Sequence, residues 1–267
     1  MPDLFTLFRK WWKPMLLILV LSMVTTIVIV FSQRPEYRSI ATAVPANTYS
    51  ADKAKIFNNN IDQLYSALGS PDDLDLVLGT GKLDTVYLAV TRRFNLQDHY
   101  KMDEQGEAAI TKAALLLKKN CLVAKSEYGE LKVSVWDTDK QLAPQLANAV
   151  LEQLQLIHQH LQQAGNEASL TAVKAMKVQV SRQLDSATVE QQQVLRTKLA
   201  DYDRLIGEYE LVLHHPTPAL LVVEAARVSE WPDRPKRVQW ILGTAVLALL
   251  FAILLAAVLE SRKSLKL

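Results

Sequence analysis

The chain has 267 residues, 49% of them hydrophobic, with 30 basic and 28 acidic residues for a formal charge of +2. Each end carries three basic residues and one acid, about +2 apiece, which leaves the middle near −2 and excludes a nucleic-acid-binding surface there. The single cysteine, Cys121, excludes an internal disulfide, and its apolar setting reads as that of a small buried hydrophobe.

Residues 15–32 and 238–259 hold no charge. A bilayer core of about 30 Å needs about 20 apolar residues at 1.5 Å each, so both stretches predict membrane-spanning helices. The first is longer than the usual apolar core of a signal peptide, and FSQRPEY lacks a small-x-small cleavage site, so an uncleaved anchor is expected. Arg9, Lys10 and Lys13 precede the first stretch, and Arg262, Lys263 and Lys266 follow the second. Short basic flanks stay in the cytoplasm, whereas long domains translocate largely regardless of charge. The expected division is therefore a cytoplasmic tail over 1–14, a span over 15–32, an external domain over 33–237, a span over 238–259 and a cytoplasmic tail over 260–267. Arg234, Lys236 and Arg237 run against the charge rule; Trp11, Trp12 and Trp240 fall where interfacial aromatics belong.

After the first span, the β-rich alternation from Pro35 to Val44, ended by Pro45, predicts a strand. Residues 51–68 read as a helix with Ile56, Ile61, Leu64 and Leu68 on one stripe. Ser70-Pro71-Asp72-Asp73 has the form of a helix start, and Gly79 stops that helix. Helices are expected over 83–94 and 106–119. Residues 121–126 and 131–136 then read as two strands of a hairpin around Glu127-Tyr128-Gly129-Glu130. Asp139 is expected to cap a helix that runs to about 163, where Gly165-Asn166 breaks or weakens it.

Residues 167–213 contain no proline and one glycine, Gly207, which predicts a single long helix of about 70 Å. Leu195, Leu199, Tyr202, Ile206, Tyr209 and Leu213 form one apolar seam, and Val173, Met176, Val180, Leu184 and Ala187 another. Between them, 188–193 is polar. Such coiled-coil-like seams want neighbouring helices. Residues 219–228 form a last strand candidate, placed before the second span as the first strand follows the first, so that the two can pair. The expected fold is α+β: two transmembrane helices flank a domain with a small membrane-proximal sheet and long extended helices.

Three segments carry a resemblance. Pro35-x-Tyr37-Arg38-Ser39, then Asp139 with Ala143, Ala147 and Asn148, then Ala226 followed by Pro232, Pro235, Lys236 and Arg237 together resemble the Wzz-type chain-length determinants, or polysaccharide co-polymerases, of bacterial envelopes. The departures are Ser229, where a first proline of the series would fall, and a second span with Gly243 as its one glycine. Prolines 232 and 235 favour an extended, stiff joint above that span, or simply end the strand before it. Thr244, Ala248, Ala252 and Ala256 make a four-residue ladder that lets helices approach closely.

Other candidate chemistry is weak. Gly79-Thr80-Gly81-Lys82-Leu83 resembles the tail of a phosphate loop, but Leu76 and Leu83 stand where glycine and Ser or Thr are needed. Asp137 and Asp139 read as turn and cap residues before a metal pair. His158 and His160 lie about 200° apart around a helix and cannot readily share a ligand. No catalytic, cofactor-binding or metal residues are expected, and no enzyme activity.

The resemblance implies a protein of the bacterial inner membrane that sets the modal length of a surface polysaccharide, such as the O-antigen of lipopolysaccharide. Its partners would be further copies of itself in a homo-oligomer, the membrane polysaccharide polymerase, growing lipid-linked glycan and the lipid bilayer. Two alternatives share the layout. One is a membrane adaptor for polysaccharide export or for a cytoplasmic tyrosine kinase; the other is a sensor ectodomain.

Overall fold

A computed structural model describes residues 4–46, 73–185, 188–215 and 218–264 of the chain. The helix expected over 51–68, the start at Ser70-Pro71-Asp72 and Ala187 of the second seam lie outside them. The chain divides into two compact units.

The first unit contains two long helices, α1 (Leu4–Ser32) and α8 (Arg237–Ser264), with the segments joined to them. Within them, Lys10–Ser32 and Arg237–Leu259, 23 residues each, are long and apolar enough to cross a membrane. At 1.5 Å per residue each covers about 34 Å, beyond the roughly 30 Å of a hydrocarbon core. Leu17, Leu21, Val28, Leu247 and Leu254 are each more than 60% exposed. Apolar surface on that scale marks a binding or membrane face rather than a wet one.

The second unit holds a four-stranded sheet in the order β2-β3-β1-β4, formed by β1 (Tyr37–Pro45), β2 (Cys121–Lys125), β3 (Leu131–Asp137) and β4 (Leu220–Glu224). Strands β1 and β4 pair antiparallel as expected, with Ala43 opposite Val222 and Pro45 opposite Leu220. Pro45, which lacks an N–H, stands at the strand's last residue, where a missing donor costs least. The hairpin pairs Cys121 with Val135 and Lys125 with Leu131. Its turn bends back through Gly129 at φ 76°, a left-handed position that suits glycine, and closes with the Ser126 N–H donating to the Glu130 carbonyl at 2.8 Å.

Among the described residues, four helices lie in the chain between β1 and β2: α2 (Asp73–Thr80), α3 (Asp84–Phe94), α4 (Leu96–His99) and α5 (Glu107–Lys119). Helix α3 opens on Asp84 and ends on Arg92 and Arg93, each charge facing the favourable pole of the helix dipole. It stops at Asn95, which takes the left-handed conformation at φ 49° that asparagine tolerates better than most residues. Val86 and Val90 of α3, Leu117 of α5 and Val133 of β3 share one core with Leu146, Val150 and Leu154.

Those last three residues belong to α6 (Leu142–Leu184), a helix of 43 residues and about 65 Å. It is followed by α7 (Val189–His214). Three expectations change here. First, 167–213 is not one helix: the chain leaves helix after Leu184 and restarts at Val189. The reason is local chemistry in the polar stretch. The Thr188 side chain takes a backbone N–H of the new first turn, and the Gln191 side chain accepts from the Thr188 N–H at 3.2 Å, a reciprocal capping box. Second, Gly165-Asn166 interrupts nothing, because a glycine costs only about 1 kcal/mol inside a helix held by its neighbours. Third, Asp139 is not the cap of α6, which begins at Leu142 without a side-chain cap. Asp139 instead donates its N–H to the Asp137 carboxylate at 2.8 Å.

With the break in place, α7 runs back along α6. Lys174 pairs with Glu210 at 2.8 Å, and Lys177 with Asp203. These exposed pairs mark the antiparallel register and add little stability. The return half-buries the α7 seam and Val173, Val180 and Leu184 of α6, while Met176 stays exposed.

Cys121, at the start of β2, lies beside the Tyr87 hydroxyl, which itself donates to the Gly81 carbonyl at 2.6 Å. Burial pushes the thiol up to about 12, so at neutral pH it is an inert, protonated group. Thiolate is favoured only on unfolding. Alkylation of Cys121 by a maleimide at pH 8 is therefore expected to be at least about a hundredfold slower in the native protein than in denaturant. Equal rates, measured by mass shift over time, would show a solvated thiol.

Candidate functional site

Strand β4 ends at Glu224, four residues short of the strand expected over 219–228. The backbone beyond it leaves the sheet while still partly buried and needs other partners. Asn148, on the first turns of α6, supplies them. Its Oδ1 accepts the Ala226 N–H at 2.8 Å, and its Nδ2 donates to the Ala226 carbonyl at 3.4 Å. One side-chain amide thus pairs with both polar groups of one residue. The adjacent Arg227 carbonyl accepts from the Ser39 hydroxyl of β1 at 2.8 Å. Ser39 is 2% exposed and Ala226 9%, and Ala143 and Ala147 of α6 are fully buried.

The three segments that carry the family resemblance therefore meet at one buried junction, through Ser39, Asn148 and Ala226. They are 109 and 78 residues apart along the chain. Ser39 and Asn148 were not among the expected site residues. The signal available for Asn148 was its position, a lone amide in the apolar run Leu146, Ala147, Ala149, Val150.

The proline segment lies in the first unit. The Glu36 N–H donates to the Arg234 carbonyl at 2.9 Å, and the Asp233 N–H donates to the Glu36 carbonyl at 2.9 Å. The two residues between Pro232 and Pro235 are thus the ones that pair with the segment leaving α1. Pro232 is exposed and Pro235 half-buried. Lys236 is exposed, and its carbonyl accepts the Trp240 N–H at 3.1 Å, which begins the hydrogen bonding of α8. An ion pair between Arg234 and Glu36 at 3.5 Å adds to the backbone bridge.

Down α8, Ala248, Ala252 and Ala256 are 7%, 3% and 2% exposed. Ala252 and Ala256 form a buried cluster with Met15 of α1, against which Trp11, Ile18 and Ile253 pack. The small residues are thus occupied by contact within the chain. Thr244, half-buried, turns its hydroxyl inward to the Trp240 carbonyl at 2.9 Å, the usual way a helix satisfies that group in apolar surroundings. On α7, Leu195, Leu199, Tyr202, Ile206 and Tyr209 are all half-buried.

The remaining candidates resolve into packing. A Cβ at Gly81 would meet the Val123 side chain at 3.2 Å, so its glycine and its Tyr87-bonded carbonyl belong to a close contact. His158 is fully buried, whereas His160 is exposed, so the two do not share a site. Among the described residues, no group of three or more His, Cys, Asp or Glu side chains is placed to hold a metal ion.

No family model and no curated protein matches the chain. Among solved structures it is similar to a full-length bacterial polysaccharide co-polymerase, at 13% identity and a TM-score of 0.43, over 100% of this chain and 98% of that one. It is also similar to a fragment of WzzB, a polysaccharide co-polymerase from Salmonella Typhimurium, at 14% identity and a TM-score of 0.28, over 75% of this chain and 100% of that one. At these identities and scores the likeness says nothing of residue roles.

Two outcomes follow from the geometry. Asn148→Ala strands a buried N–H and carbonyl, at a cost of about 1–3 kcal/mol. Denaturant titration of the solubilised protein should show that loss. Ala252→Leu places a branched side chain at a site 3% exposed and packed against Met15, with a cost of about 1–3 kcal/mol. Its melting temperature should fall, while Leu247→Ala, at a site 69% exposed, leaves it unchanged. Equal effects of the two would mean that α1 and α8 do not pack through the alanines.

Proposed function

We propose that the protein regulates the modal chain length of a surface polysaccharide, as a non-enzymatic, oligomeric scaffold for a polymerase in the same bacterial inner membrane. The observation that carries this reading is the buried junction of Ser39, Asn148 and Ala226. The segments whose residues resemble the Wzz-type determinants are not three chance matches scattered over the surface. They bond to one another, so the resemblance is to a structural unit. The pairing of Glu36 with Asp233 and Arg234, beside Pro232 and Pro235, supports it further, since this too joins the segments in which the motif residues stand.

In this reading α1 and α8 cross the inner membrane, both ends of the chain are cytoplasmic and the 33–237 domain is periplasmic. The α6–α7 hairpin and the sheet-bearing body offer surface to neighbouring copies. The proline segment transmits the orientation of the outer domain to the second span. The Thr244–Ala256 face, supported by the contact of Ala252 and Ala256 with Met15 of α1, holds the two spans as one body toward the polymerase. Length control by such a protein needs position and stiffness rather than a reacting group.

Deleting the gene tests the reading directly. The surface polysaccharide, resolved on a gel, should lose its modal length and become broader or shorter while polymer is still made. An unchanged ladder overturns it, and loss of all exported polymer would indicate an export adaptor instead. Asn148→Ala, where the protein still accumulates in the membrane, should shift the mode as well.

A further inference from the structure

The residues between the two apolar helices and the folded body carry an excess of positive charge. Over 34–38 and 229–237, five basic residues (Arg34, Arg38, Arg234, Lys236, Arg237) stand against three acids (Glu36, Glu230, Asp233). Arg234 is engaged with Glu36. Arg34 and Lys236 are exposed and have no ion-pair partner among the described residues. Arg237 is half-buried, with its guanidinium 4.5 Å from the centre of the Phe31 ring and its Nε buried without a hydrogen-bond partner.

These cations are held along one seam. Phe31, in the last turn of α1, lies against Arg237; Glu36 pairs with Asp233 and Arg234. Arg34 falls in the chain between Phe31 and Glu36, and both of these contact the segment from Asp233 to Arg237. Helix stability does not account for them all. Arg34 follows the carbonyl end of α1, where a cation is favourable. Lys236 and Arg237 stand at the N–H end of α8, where a cation is disfavoured by about 0.3–1 kcal/mol. The charge there also opposes the tendency of basic residues to stay on the side of the short tails. An anion placed at this seam would meet guanidinium and ammonium groups and the free N–H groups of the first turn of α8 together. Trp231 and Trp240, 79% and 61% exposed, flank it and suit the level of lipid headgroups.

We infer that Arg34, Lys236 and Arg237 form a binding site for the phosphate of an anionic lipid headgroup, at the membrane surface beside the end of α1 and the start of α8. The source is a membrane lipid and not free phosphate, because α1 ends two residues before Arg34 and α8 begins at Arg237, and both helices are apolar up to the seam, which places it at headgroup depth. The inference rests on reading α1 and α8 as membrane spans, and is independent of chain-length control.

The test uses the full-length protein, delipidated in detergent and offered an equimolar mixture of phosphatidylglycerol and phosphatidylcholine with matched acyl chains. Lipid retained on the protein is counted by native mass spectrometry. The unaltered protein should retain phosphatidylglycerol at least tenfold over phosphatidylcholine. R34Q/K236Q/R237Q should bring the ratio near one, and K236Q or R34Q alone should lower it roughly fivefold, the worth of one cation near an anionic surface. Circular dichroism confirms that each variant is folded; the exposed Lys236 and Arg34 keep the test open if the triple variant is not. K10Q/K13Q, at the opposite end of the spans, should leave the ratio unchanged. The inference is overturned by a ratio near one in the unaltered protein, by a folded single or triple variant that keeps its preference, or by loss in K10Q/K13Q instead. Displacement of the lipid by 10 mM inorganic phosphate would overturn the lipid source and make the site one for free phosphate.

Discussion

The fold depends on how backbone that has left a sheet is kept from being stranded. Strand β4 is five residues long, and the chain beyond it must travel from a packed sheet toward an apolar helix. A buried N–H or carbonyl without a partner costs about 1–3 kcal/mol, a large share of the stability of any domain. Asn148 meets that demand at Ala226 with a geometry that only a side-chain amide has, one donor and one acceptor side by side. Ser39 does the same for Arg227 from the neighbouring strand. Because Asn148 sits on α6 among residues of the main core, the path of the last strand is tied to the packing of the whole unit.

The paired apolar helices solve a different problem. In lipid no hydrophobic force drives helices together, so contact must come from close packing. Alanine every fourth residue on α8 gives α1 a smooth face to approach, and Met15 fills it as a flexible side chain can. This changes the meaning of the ladder. A stripe of small residues invites a partner, and here α1 is already that partner.

Much of this was visible in the residues. The apolar helices, the β1–β4 pairing, the 121–137 hairpin and the helices over 84–94 and 107–119 follow from periodicity and turn chemistry, because local preference and global packing agree there. The long helices were the exception. An amphipathic pattern states that a face must be covered without stating by what, and 167–213 reads equally well as one rod or as part of a hairpin. The decision lay in Thr188 and Gln191, whose capping spacing was present but looked like an ordinary polar interval. Asp139 shows the converse: a residue of capping type that lies two positions ahead of the helix's actual cap, Gln141, in a turn where its N–H donates to Asp137. For the junction, each motif was apparent alone, but hydrogen bonds between residues so far apart cannot be read from spacing.

The proline segment is where these arguments join. A proline cannot donate to a ladder, and the residue before it is kept from helix. Two prolines three apart therefore leave Asp233 and Arg234 as the only donors between them, and both turn to the Glu36 carbonyl, at 2.9 and 3.3 Å. The same exclusion prevents α8 from extending backward past Pro235, which sets where the helix begins and where its first free N–H groups lie. An exposed ion pair at 3.5 Å could not hold this register against salt. The backbone bridge can. What the prolines contribute is thus not flexibility but the removal of alternatives, so that the chain leaving one apolar helix and the chain entering the other have one way to meet.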